Sequence, residues 1–89
     1  MNTLDKIRAK LASLEPTALE LTDDSAKHAG HAGAASGGGH FQLFIVSEQF
    51  AGLGLLARHR LIYDALGPMM RQDIHALAIV AKTQTELTH

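Results

Sequence analysis

The chain contains no cysteine. That absence excludes a disulfide-stapled scaffold, a thiolate nucleophile, and an iron–sulfur cluster held by the chain's own thiolates. Basic residues show no surplus either. Eight Lys and Arg stand against nine Asp and Glu, a formal net charge of −1 with neutral histidines. A dedicated nucleic-acid binder usually carries a basic excess, so binding of that kind would have to come from a local patch. No apolar run approaches the roughly 18 residues of a membrane span, and MNTLDKIRAKL lacks the apolar core of a secretion signal. The expectation is a soluble, cytoplasmic chain with no membrane partner. No internal repeat occurs, and the carboxylate pair of Asp23-Asp24-Ser25 has no nucleophile and base beside it.

What is present suits one small domain over residues 1–89, with 46% hydrophobic residues. A domain of this size buries only about 60–65% of its unfolded surface. From Thr3 to Leu14, Leu4, Ile7, Leu11 and Leu14 fall on one helical stripe, with Asn2 or Thr3 as cap and Pro16 as stop. Next, Ala18, Glu20 and Thr22 alternate against Leu19 and Leu21, a strand pattern that ends in an acidic turn. HFQLFIVS is a stronger strand, with Phe41, Leu43 and Ile45 on one face and Phe44 and Val46 on the other. Between the two lies a Gly- and His-rich loop over residues 25–39, and connections of that length are more often functional or disordered than simple turns. A second helix is expected from Leu53 to Leu66, striped by Leu55, His59, Ile62 and Leu66 and broken by Gly67-Pro68. Met69, Met70 and Arg71 suggest a further helical turn. IHALAIVAKT reads as a well-buried strand, and residues 84–89 as a disordered tail. The fold class is α+β, in the order α-β-β-α-(short α)-β, with helices on one face of a three-stranded sheet.

Six histidines are the unusual feature of so small a chain. His59, inside RHR and on the second helix's apolar stripe, is expected to be packed with a hydrogen-bonded ring nitrogen. Its neighbours Arg58 and Arg60 are expected to face solvent or a partner. Alternation puts His75 on the same face as Leu77 and Ile79, which leaves it either a core-edge residue or a ring presented at the sheet rim. His28 and His31 form H-x-x-H, compatible with Zn, Cu or Ni, yet two histidines supply only half of a structural zinc site. By pattern alone their loop reads as slack chain. His40 opens a strand and is expected to pack or cap, and His89 belongs to the tail. Gly30-His31-Ala32-Gly33 spells G-x-x-G, the backbone clamp of KH domains, but that clamp joins two helices and this segment joins two strands.

In combination, DDSAKHAGHA, HFQLFIVSEQFAG, LLARHRLIYDAL and IHALAIVAKT resemble the BolA family along nearly the whole chain. The resemblance implies a class II KH-like fold and a protein that is not an enzyme. It implies a monothiol glutaredoxin as partner and a [2Fe–2S] cluster shared with it, in cluster assembly or transfer or in iron and redox regulation. The histidine that opens HAL is the family's usual metal ligand, here His75. The loop ligand is matched by His28, from its distance to the D-S that opens the loop, with His31 as the fallback. The remaining thiolates would come from the partner's cysteine and a bound glutathione, with nothing held tightly by the isolated chain. Iron accepts two imidazoles in place of two thiolates in Rieske-type centres, so the chemistry is consistent. A second implication is transcriptional regulation in stress response and cell morphology, with DNA bound through a helix-turn-helix-like region. Arg58, Arg60, Arg71 and Lys82 are the candidate nucleic-acid or partner surface. The free chain is left as a monomer or weak homodimer. Imidazole ligates only when neutral, so cluster sharing is expected to weaken in acid.

Overall fold

The computed structural model describes residues 2–24 and 39–87. Helix α1 spans Thr3–Leu11, and its start is fixed by Asn2, whose side-chain oxygen accepts from the Asp5 N–H at 2.8 Å. Asp5 in the first turn and Arg8 and Lys10 in the last complement the helix dipole. The expected apolar stripe continues past Leu11 as a 3₁₀ turn, Ala12–Leu14, which still buries Leu14. Glu15 then closes the turn in the left-handed region at φ 50°, and Pro16 prevents any return to helix.

Strand β1, Ala18–Asp23, pairs antiparallel with β2, Gly39–Val46, so that Leu21 faces Leu43. The chain next forms a 3₁₀ turn at Glu48–Phe50, helix α2 over Leu55–Leu66 and the short helix α3 over Met69–Gln72. Gly67, at φ 58° and ψ −134°, ends α2 in a conformation that suits glycine, and Pro68 precedes α3. Strand β3, Ile74–Lys82, returns parallel to β2, which gives a mixed sheet ordered β1-β2-β3. This is the α+β architecture expected, with β2 at its centre. The core lies between one face of the sheet and the helices: Ile7 and Leu11 from α1, Phe41, Leu43 and Ile45 from β2, and Ile62 and Leu66 from α2. Phe50 is fully buried among them. No helix among the described residues is long and apolar enough to cross a membrane.

Two expectations need correction. β3 is not well buried: only Ile74 and Ala81 are, while Ala76, Ala78 and Val80 are exposed. It is an edge strand whose outer face carries no helix, and small or branched apolar residues tolerate that position. Of the disordered tail expected over residues 84–89, Gln84–Leu87 form a fourth helix, α4, and 88–89 lie outside the described residues. Arg58 holds α4. The guanidinium donates to both carboxylate oxygens of Glu86, at 2.6 and 2.9 Å, and to the backbone oxygens of Leu53 at 2.8 Å and Ala81 at 3.0 Å. It also lies over the Phe50 ring, 6.0 Å from its centre. Glu86 in turn accepts from the Thr83 N–H at 2.8 Å, and the Gln84 N–H donates to the Glu48 carboxylate at 3.0 Å. Arg58 therefore ties α2, the end of β3 and α4 together, and its guanidinium is not a free surface cation.

The Arg58 hydrogen bonds, with help from the Thr83 N–H, hold the Glu86 carboxyl down at about 2. A depressed carboxyl contributes stability above its ordinary, unfolded-state value and loses it as pH falls through the folded one. Thermal unfolding of Glu86→Gln should therefore show a lower Tm than the parent at pH 6, with the two curves merging near pH 2. Arg58→Ala removes donors from two backbone oxygens at about 1 kcal/mol each, so its Tm should fall by about 5–15 °C at neutral pH.

Candidate metal centre

Parallel pairing sets the starts of β2 and β3 side by side, and antiparallel pairing brings the end of β1 to the same rim. Residues 25–38 thus leave and re-enter the described structure at one place. Asp24, on the near side, is buried and donates its N–H to the His40 oxygen at 2.7 Å. Its carboxylate accepts from the Gln42 side-chain amide. On the far side, the Gly39 N–H donates to the Asp73 oxygen at 3.0 Å. A cleft of about 390 Å³ opens at this rim, lined by Asn2, Asp23, Gly39, Phe41 and Asp73 among others.

The register breaks at this point. Gly39 pairs with Ile74 while His40 pairs with Ala76, so one step on β2 spans two on β3 and His75 is the extra residue of a bulge. Simple alternation placed His75 with Leu77 and Ile79, which face the helices. The bulge reverses that parity: Ile74 is buried in the core and His75 is exposed at the rim. Of the two positions the sequence left open for His75, the structure has the rim. His40, expected only to pack or cap, packs against it. Their ring centres are 5.0 Å apart and the planes are tilted by 41°.

Two imidazoles at that separation can serve one cation. With metal–nitrogen bonds of about 2.0–2.1 Å, the centres of two rings on a tetrahedral or octahedral ion lie about 4.6–5.3 Å apart. The set is incomplete by itself, since no group of three His, Cys, Asp or Glu suited to a metal occurs among the described residues. A [2Fe–2S] cluster fits the donor chemistry as far as the chain goes: imidazoles on this side, and thiolates necessarily from another molecule because the chain has none.

The other candidate residues fall elsewhere. His28, His31 and His89 lie outside the described residues. His59 is partly buried, edge-on to Tyr63 with ring centres 6.3 Å apart, and its buried Nε2 has no hydrogen-bond partner among the described residues. It is packed as expected, without the expected bond at that nitrogen. Arg58 is engaged with Glu86. Arg60, Arg71 and Lys82 are exposed, and the last two stand at opposite ends of β3. Arg71 precedes β3 and Lys82 closes it, and a nine-residue strand is about 26 Å long. Sequence reasoning missed the pairing of His40 with His75, although a signal was present. A helix between two strands implies a parallel crossover, and parallel strands begin side by side.

A three-stranded mixed sheet with helices on one face and a histidine-bearing rim defines a class of small α+β domains. Residues 11–86 match the family model described as BolA-like protein, and the chain belongs to that family. Over 92% of its length it is 48% identical to SufE-like protein 1, chloroplastic/mitochondrial, of Arabidopsis thaliana, and covers 24% of that relative. It is 39% identical to the DNA-binding transcriptional regulator BolA of Escherichia coli, covering 92% of this chain and 76% of the relative. Among solved structures, BolA1 from Arabidopsis thaliana superposes with a TM-score of 0.82 at 42% identity, covering 97% of this chain and 96% of that one. The chain spans between 24% and 57% of the length of the first three curated relatives it matches.

An exposed bulge residue has little to lose when truncated. His75→Ala should change the unfolding free energy in urea by no more than about 0.5 kcal/mol. A loss of about 2 kcal/mol or more would mean that the ring holds the fold together instead of being offered to a ligand.

Proposed function

We propose that this chain is a non-enzymatic partner of a monothiol glutaredoxin and shares a [2Fe–2S] cluster with it. In this reading His75 is one ligand and a histidine of the 25–38 segment the other, His28 first and His31 second. The observation that carries it is the bulge, which presents His75 at the rim where that segment begins and ends. The lack of cysteine supports the same division of labour, because the chain can offer imidazole and must borrow thiolate. A bound cluster would supply redox-active iron held between two proteins. The chain's own part is to keep His75 outward, to anchor both ends of the segment through Asp24 and Gly39, and to leave the cleft beside Asp23 and Asp73 open to a partner. We place this activity in cluster assembly, transfer or iron and redox regulation, in the cytoplasm, with the free chain a monomer or weak homodimer.

A second reading, DNA-binding regulation, draws on the name of the Escherichia coli relative and on the exposed Arg60, Arg71 and Lys82. The separation of Arg71 from Lys82 by the length of β3, the engagement of Arg58 and the net charge of −1 favour the first reading. The two separate by experiment. Visible circular dichroism of cluster-loaded monothiol glutaredoxin should change on adding this chain, saturate at one to one, vanish with His75→Ala and alter with His28→Ala. No spectral change with the parent chain would end the shared-cluster reading. A salt-dependent DNA shift, unaffected by His75→Ala, would then support the regulator.

A further inference from the structure

Two imidazoles lie at the rim whether or not a partner is present. From their geometry we propose that His40 and His75 chelate a single divalent transition-metal ion on the isolated chain, with no loop histidine required. The separation of 5.0 Å between ring centres falls within the range that two imidazoles span when both bind one ion. The rings are tilted by 41° to one another and so are not stacked flat.

Both rings stand on strand backbone. His40 is paired with Ala76 across the parallel ladder, and His75 is held by the bulge between Ile74 and Ala76, with Ile74 buried beneath it. Little backbone order therefore remains to be gained on binding, and sites built on strands hold their geometry better than sites on loops. The nitrogen-only donor pair selects the borderline ions Cu²⁺, Ni²⁺, Zn²⁺ and Co²⁺ over Mg²⁺ and Ca²⁺, which prefer oxygen. Two ligands leave the other positions to water, so the site is open and exchangeable. That suits an ion handed on or displaced, and it places a second, mononuclear state on the rim proposed for the shared cluster. His75 takes part in both states, whereas His40 takes part in this one alone.

The test needs neither glutaredoxin nor cluster, so its outcome is independent of the shared-cluster reading. The untagged chain of residues 1–89 is titrated with NiCl₂ and with ZnCl₂ by calorimetry, and histidine ring nitrogens are followed in long-range ¹H–¹⁵N spectra. The expected result is one ion per chain, with the rings of His40 and His75 perturbed together. His40→Ala and His75→Ala should each weaken binding by about tenfold or more, while His28→Ala and His31→Ala change it by less than about threefold. Far-UV circular dichroism verifies that each variant is folded, and His40→Gln provides a second removal of the ligand that keeps side-chain bulk. Binding by folded His40→Ala or His40→Gln as tight as the parent overturns the proposal. So does binding abolished by His28→Ala, or no binding by the parent chain.

Discussion

The parallel pairing of β2 with β3 is the constraint on which the rest of the structure depends. Parallel strands need a crossover, and the crossover here is α2 with α3, which covers one sheet face and closes the core on Phe41, Leu43, Ile45, Ile62 and Leu66. The same pairing brings the first residues of both strands to one rim, where His40 and His75 meet. The antiparallel β1 ends there as well, so the histidine-rich segment is tied to that rim at both ends. A single topological choice thus builds the core and assembles the candidate site.

Charge is used differently at the two ends of β3. At its C-terminal end, Arg58 is engaged by two backbone oxygens, a carboxylate and an aromatic face, and α4 is fastened as a result. Such an arginine is costly to replace, even by lysine, because lysine lacks the planar fork that grips Glu86 with two donors. At the N-terminal end stand two imidazoles in contact, His75 exposed on the bulge and His40 partly buried beside it. The fold is secured at one end of the strand and left chemically available at the other. That division explains why RHR, which resembles a basic recognition motif in sequence, contributes one structural arginine, one packed histidine and only one exposed cation, Arg60.

Much of the fold was legible because periodicity reports burial directly. Ile7, Leu11, Ile62 and Leu66 are spaced for a helix, Phe41, Leu43 and Ile45 for a strand, and all are buried. β3 misled because an all-apolar strand looks alike whether both faces are covered or one edge is open. The tail misled because α4 is held by one distant arginine, a contact with no local pattern. The site was half legible. His75 was singled out through the family resemblance, but alternation left it open between core edge and rim, and a bulge cannot be seen in side-chain periodicity since it is an offset between two strands. His40 was passed over because its partner lies on another strand.

The central claim is that this chain offers histidine nitrogen to a cluster it cannot hold alone. The most direct measurement is pulsed electron paramagnetic resonance of the reduced cluster, formed from natural-abundance glutaredoxin and this chain labelled with ¹⁵N only in histidine. The account predicts ¹⁵N hyperfine couplings of the size expected for directly bonded imidazole, lost when His75 is replaced by alanine. A reduced cluster in the complex without such couplings would contradict it, and would mean that the two proteins associate without this chain's histidines binding iron.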